Sequence, residues 1–357
     1  VKIRELMGIL DDIAPFKDSE EWDNTGLLVG DLDDEATGIL TTLDCAHGTV
    51  EEAVEKGANV IIAHHPLIFP KVSSITESGV GSIVRKLIRN DINLIAMHTN
   101  LDHQPHGVSH MIAEVLGYDE TEILIKHEYF YKKLRINIPK EDVGKLKQDL
   151  SAAGVGNQGD YSECFFEYPV KGQFRPNDEA DPHIGTQGEL EHVDEYIVEA
   201  IFEAAHEQQV IDALIEAHPY EEPAYDVLTL KKPSDKGLGV KFDYDDTLEA
   251  LVDLIREKTG HDIVNVVNAN TGRMNKVGII GGSGMSYINE AFSQGVDVLV
   301  TGDVKYHEAY DAKLAGRNII DVGHYMEVFM AEGLKRLVED RVELPVHATS
   351  FTTNPFE

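Results

Sequence analysis

Three short stretches hold the residues best suited to chemistry. Val60-Ile61-Ile62-Ala63-His64-His65-Pro66 sets two adjacent imidazoles after an apolar run. Asn93-Leu94-Ile95-Ala96-Met97-His98-Thr99-Asn100-Leu101-Asp102 follows an apolar run with polar residues and ends in a carboxylate. Ile319-Ile320-Asp321-Val322-Gly323-His324-Tyr325-Met326-Glu327 does the same, and His324 and Glu327 are three apart. On a helix that spacing puts both on one face. His64, His65, Asp102, His324 and Glu327 together offer three imidazoles and two carboxylates. Such a donor set suits two divalent metals that share one carboxylate, and zinc, iron and manganese all accept mixed nitrogen and oxygen ligands. A lone histidine at a strand end more often caps a carbonyl. Three clusters of one layout shift the balance toward metal.

The elements that carry these residues read as strands followed by helices. Side chains of neighbouring strand residues point to opposite faces, so His64 and His65 can share a site only where the strand has ended. Pro66 keeps His65 extended and blocks a helix there. In open α/β sheets, ligands bind beyond the carboxyl ends of the strands. Residues 1–126 alternate helices and strands, which predicts the first half of an α/β metal-binding domain. Residues 127–231 read β-α-β-β-α-β, a ferredoxin-like α+β unit inserted into that domain. Within it, a strand is expected from Tyr161 to Pro169 and an exposed loop from Gly172 to Glu191. Residues 232–357 resume the α/β pattern and predict a second half resembling the first, with the site between the two. Gly281-Gly282-Ser283-Gly284 is expected to be a tight turn between strand and helix, since it matches no phosphate-binding fingerprint.

The chain has 357 residues and a net charge of −33, from 64 acidic and 31 basic residues. That field repels DNA and RNA phosphates, so nucleic acid is not an expected partner. A small phosphorylated substrate stays admissible, because bound metals reverse the local sign. No run of about 18 apolar residues suggests a membrane helix. Cys45 and Cys164 are the only cysteines. They are too few for a disulfide framework or a thiolate zinc site, and the cytoplasm is the expected compartment. Trp22, the single tryptophan, is expected to be a core anchor. His103, His106 and His110 are expected to be exposed.

With these motifs in place, the chain resembles the GTP cyclohydrolase 1 type 2 homologues, also called Ngg-interacting factor 3-like proteins. The resemblance rests on Trp22-Asp23-Asn24-Thr25-Gly26-Leu27, Ala63-His64-His65-Pro66, His98-Thr99-Asn100-Leu101-Asp102, Thr301-Gly302-Asp303 and Gly323-His324-Tyr325-Met326-Glu327. It spans nearly the whole chain. Ala217-His218-Pro219-Tyr220-Glu221-Glu222-Pro223 is similar to the PII/CutA-type trimeric insert of the longer bacterial members. The resemblance implies a dinuclear metal centre on His64, His65, Asp102, His324 and Glu327. It also implies a homo-hexamer built as two stacked trimers.

Two functions fit the residues. One is a metal-dependent hydrolase of a small nucleotide-like or phosphorylated molecule. The other is a non-catalytic metal chaperone or sensor, with the insert as its sensing or assembly module. For the hydrolase, His98, Lys305 and His307 are the catalytic candidates: Lys305 to pair with a substrate anion, His307 as a general acid. Thr99, Asn100 and Asp303 are candidates to face substrate or support a ligand, with Asp303 able to accept from a ligating imidazole. A surface or capping role is an equally ordinary reading of each.

Overall fold

The computed structural model describes residues 1–69 and 72–356. Helix α1 (Ile3–Ile13) leads into strands β1 (Gly26–Val29) and β2 (Ile39–Thr42). Then come α2 (His47–Glu55), β3 (Val60–Ala63), α3 (Gly79–Arg89), β4 (Asn93–Ala96), the single turn α4 (Thr99–Asp102) and α5 (Val108–Leu116). Strand β5 (Glu122–Pro139) begins the excursion α6 (Val143–Ala152), β6 (Phe166–Phe174), β7 (Glu191–Glu203) and α7 (Glu207–Ala217), and β8 (Tyr225–Asp246) returns. The remainder is α8 (Leu248–Thr259), β9 (Asn265–Val267), β10 (Met274–Ile279), α9 (Ile288–Ser293), β11 (Val298–Thr301), α10 (Tyr306–Leu314), β12 (Asn318–Asp321), α11 (Met330–Glu339) and β13 (Val346–Ala348).

The chain divides into two compact units, Val1–His127 with Asp235–Glu357, and Glu128–Ser234. In the first unit two runs share one order of elements. Each has a helix, an edge strand antiparallel to the last strand of the run, and three parallel strands joined by helices. In one run β2, β3 and β4 are parallel and β1 lies antiparallel on β4. In the other β10, β11 and β12 are parallel and β9 lies antiparallel on β12. Strand β13 extends the first sheet beside β2, and β8 extends the second beside β10.

Alternation along these strands builds the core. Ile39, Val60, Ile62 and Ile95 of the first sheet enter the same buried cluster as Val277, Ile279, Val298, Val300 and Ile320 of the second. Ile3, Leu6 and Leu10 of α1, Met111 and Ile112 of α5, Leu251 and Ile255 of α8 and Leu334 and Val338 of α11 fill that cluster, so the four helices lie between the sheets. Leu40, Ile61 and Leu94 face the other way, onto Val50 and Leu87. Leu299 and Ile319 likewise pack on Ala291 and Ala312. Covered on both faces, the parallel strands are continuous apolar runs. Their carboxyl ends are level: Thr42 pairs with Ala63, Ala63 with Ala96, and Thr301 with Asp321. The residues that follow each strand therefore share one rim.

The second unit has the element order β-α-β-β-α-β of a ferredoxin-like unit, with strand order β6-β7-β5-β8. Leu134, Ile136, Leu146, Leu150, Phe202, Val210 and Leu214 form its core. The strand expected from Tyr161 starts later, at Phe166. Gly156 and Gly159 hold positive φ, and a Gln158–Tyr161 bridge keeps the chain turning. The strand then runs on to Phe174, paired with Glu191, which trims the loop expected from Gly172 to residues 175–190. Among the described residues no helix is long and apolar enough to cross a membrane.

One carboxylate ties the end of the chain to this frame. Glu52 on α2 is 9% exposed. It accepts from Ser350 N–H (2.9 Å), Ser350 Oγ (2.8 Å), Phe351 N–H (3.3 Å) and Thr349 Oγ1. Two residues beyond, Thr353 Oγ1 donates to Asp44 Oδ2 at 2.7 Å. Burial opposes ionisation of Glu52, but these donors outweigh it and hold its carboxyl down at about 2, against an ordinary 4.5. A depressed carboxyl stabilises the fold above its unfolded pKa, and that contribution fades as pH falls toward the folded value. Glu52→Gln is thus expected to be about 2 kcal/mol less stable at pH 7. The deficit should shrink as pH drops from about 4.5 toward 3. Urea unfolding across that series checks it, and a deficit independent of pH would count against the anchor.

Candidate metal centre

His64 and His65 leave β3 with their backbone still paired. His64 N–H donates to Thr42 O (3.0 Å) and His65 N–H to Leu43 O (2.9 Å). The His64 ring is fully buried, and its Nδ1 lies 2.8 Å from Met97 O. A carbonyl only accepts, so Nδ1 carries the proton and Nε2 holds the lone pair. Nε2 is the one buried side-chain polar atom without a hydrogen-bond partner among the described residues. It faces Asp102 Oδ1 at 3.7 Å and Glu327 Oε1 at 3.9 Å. An acceptor buried opposite two carboxylates is a costly arrangement that a cation between them relieves.

A second convergence sits beside the first. His65 Nε2 and His324 Nε2 each lie 3.1 Å from Glu327 Oε2 and 3.3 Å from one another. Behind each ring stands another carboxylate: Asp44 Oδ1 at 2.7 Å from His65 Nδ1, and Asp303 Oδ2 at 2.6 Å from His324 Nδ1. His65, His324 and Glu327 could hold one ion, and His64, Asp102 and Glu327 another. Glu327 turns Oε2 toward the first group and Oε1 toward the second. The chemistry of the donor set fits divalent metal, and Glu327 is the carboxylate common to both groups.

The electrostatics follow from that crowding. Burial pushes His64 down to about 3. Burial works against protonation of His65 too, but the Asp44 and Glu327 carboxylates outweigh it and lift the ring to about 10. The Glu327 bond lifts His324 to about 9, against burial and with help from Asp303. Burial disfavours the Glu327 anion, yet its bonds to His324 and His65 hold that carboxyl far below the usual range. Asp102 is pushed well up, first by burial and then by the Glu327 charge.

Backbone geometry makes the room. His324 and Glu327 lie on a 3-10 turn, His324–Phe329, rather than the expected α-helix. Side chains three apart eclipse on such a turn, which aligns the pair more closely than an α-helix would. The Gly281–Gly284 stretch does turn between β10 and α9, but it borders the site. Gly282 has φ +61°, and a Cβ there would fall 2.7 Å from Glu327 Oε1. Asp303 also sits at positive φ, 56°, a conformation that Asp tolerates better than most residues.

The other candidates separate. His98 joins the cluster, and His64, His65 and His98 could also converge on an ion. Its Nδ1 lies 2.9 Å from Asp23 Oδ1, and Asp23 Oδ2 accepts from Thr99 N–H at 3.1 Å and Thr99 Oγ1 at 2.5 Å. Asn100 is buried and donates to Ala14 O, a structural role. Lys305 is 82% exposed with Glu308 as its partner, and His307 is exposed against Tyr306. Among the described residues neither is hydrogen-bonded or ion-paired to the cluster. Three expectations are corrected. His103 is buried with Nδ1 at Asp18 O, while His106 and His110 are half-buried at Ile13 O and Thr121 Oγ1. Each found a local acceptor that a sequence does not display. Trp22 is 60% exposed, not a core anchor. Asp44, which supports His65, drew no notice in the sequence, although it ends a strand run as His98 does.

Carboxylates that hold the far nitrogen of a ligating imidazole affect metal affinity by about 10–100-fold. Asp303→Gly is expected to lower affinity for a divalent ion by that factor while leaving the melting temperature nearly unchanged, because Asp303 is exposed and glycine accepts its positive φ. Competition with a chromophoric chelator measures the first and circular dichroism the second. Unaltered affinity would disconnect Asp303 from the centre.

Comparison with known proteins identifies the family. The family model described as Duf34/NIF3 (NGG1p interacting factor 3) matches residues 1–355. A Staphylococcus aureus protein named GTP cyclohydrolase 1 type 2 homolog is 45% identical over the full length of both chains. The crystal structure of Staphylococcus aureus protein SA1388 is similar with a TM-score of 0.83 and 42% identity, covering 100% of this chain and 98% of that one. A Bacillus cereus protein related to NIF3 is similar with a TM-score of 0.70 and 35% identity, covering 100% and 99%. The chain belongs to the Duf34/NIF3 family.

Proposed function

We propose that His64, His65, Asp102, His324 and Glu327 hold two divalent metal ions, with Glu327 bridging, and that the centre hydrolyses a small phosphorylated or nucleotide-like molecule. The observation that carries this is the buried, unpartnered Nε2 of His64 facing Asp102 and Glu327. A divalent pair supplies water of lowered pKa and stabilises charge on the reacting oxygens. Hydrolysis of a phosphoester, or of a cyclic amidine or amide, falls within that chemistry, and the name carried by the Staphylococcus aureus relative points the same way. Zinc, iron and manganese all suit the ligand set. In this reading Asp44, Asp303 and the Met97 carbonyl orient the ligands, while His98 stands nearest to act on substrate.

A metal carrier or sensor is the second reading. It is favoured by His324, whose side chain is 39% exposed, so one of the two groups opens to solvent. For either reading the insert would be an assembly module, and the similarity of Ala217–Pro223 to PII/CutA-type trimers supports a homo-hexamer of two trimers.

Glu327→Ala is expected to take bound metal from about two ions per chain to nearly none, and His65→Ala to remove mainly one. Elemental analysis after dialysis reads both, and equal loading of wild type and Glu327→Ala would reassign the bridge. A screen of phosphoesters and cyclic amidines on the metal-loaded protein separates the readings. Turnover abolished by Glu327→Ala supports the hydrolase, whereas rapid ion exchange without turnover supports the carrier. For the assembly, subunits of net charge −33 repel one another, and salt screens that repulsion over a Debye length of about 8 Å at physiological strength. Light scattering should find a hexamer firmer at moderate salt than at very low salt. A monomer throughout would remove the assembly.

A further inference from the structure

Trp22 is large, apolar and 60% exposed, and Phe69 beside it is 49% exposed. Isolated exposed apolar residues are ordinary, but this pair is held in place. Asp23 anchors the Trp22 turn to His98 and Thr99. Asn24 Nδ2 donates to Ile68 O at 2.6 Å, fixing the turn to the residue before Phe69. The indole stands edgewise to Phe69, with centroids 6.0 Å apart at 77°, and to His98, 6.2 Å apart at 79°. Neither ring stacks flat on it. His98 in turn stands 5.1 Å from the His64 ring and 5.7 Å from His65. A solvent-facing indole is thus clamped one imidazole away from two of the metal-ligand candidates.

We propose that Trp22 is a stacking platform that selects substrates bearing a planar heteroaromatic ring, such as a nucleobase. The ring lies against the indole while the charged or reacting end of the same molecule reaches the metal pair. This rests on the metal-centre reading above and names the class of molecule that the centre takes. Exposed aromatic side chains serve as stacking platforms because every base presents a π face, so the preference is for rings in general rather than for one base. Phe69, edge-on to the indole, borders the same surface.

Trp22 is the only tryptophan of the chain, so emission excited selectively from tryptophan reports on this residue alone. The full-length, metal-loaded protein is titrated with adenosine 5′-monophosphate, ribose 5-phosphate and adenosine, with affinities taken in parallel by calorimetry. The nucleotide is expected to quench emission saturably and to bind at least about fivefold more tightly than ribose 5-phosphate, which leaves emission unchanged. Trp22→Ala should abolish that preference without altering metal content, and Trp22→Phe should keep most of it. Equal affinity for the nucleotide and the sugar phosphate in wild type, or an unchanged preference in Trp22→Ala, overturns the inference. So does emission that responds to protein concentration and to no probe, which would mean a second copy covers the indole. Metal content of the same samples keeps the two readings apart. A metal-free protein would sink the metal centre, and quenching by adenosine alone would then still uphold the platform, as its absence would end it.

Discussion

An imidazole lone pair buried against two carboxylates is the constraint on which the candidate centre depends. His64 Nε2 has no hydrogen available to offer Asp102 or Glu327, because the proton is committed to the Met97 carbonyl. Burial removes the water that would otherwise separate the acceptors. The crowding can be relieved by protons, on Asp102 itself, whose carboxyl is pushed up, and on His65 and His324 beside Glu327, or by the divalent ions proposed above. Much of the local structure serves that need: strands ended in register, glycine at 282, and an aspartate at positive φ behind His324.

The candidate centre draws on both sheets. Neither run of strands contains all five candidate ligands. His64, His65 and Asp102 follow β3 and β4, whereas His324 and Glu327 follow β12. The central helices fix the distance between the two rims through one continuous apolar cluster. Loss of volume in that cluster would be felt at the centre as displaced ligands, since close-packed interiors transmit strain.

The sequence disclosed these parts unequally. Val60–Ala63 and Asn93–Ala96 were legible because strands buried on both faces are unbroken apolar runs bounded by polar residues. The five ligand candidates stood out because each cluster closes such a run. The 3-10 geometry at His324 did not show, since the spacing of three suits both helix types. Asp44 escaped because its importance comes from His65 and Thr353, which are remote in sequence. Trp22 was misplaced for the opposite reason. Composition places tryptophan inside, and only the clamp through Asp23 and Asn24 shows what holds it out.

The separation of the ligands along the chain also sets an order of events during synthesis. His65 and Glu327 are 262 residues apart. Domains emerge from the ribosome at roughly 5–20 residues per second, so the first histidines wait on the order of ten to fifty seconds for the carboxylate they meet in the fold. Throughout that interval the first sheet carries imidazoles without the residue that joins them. The Glu128–Ser234 unit, whose core is its own, lies in the stretch translated during the wait. The five candidate ligands come together only in the finished chain.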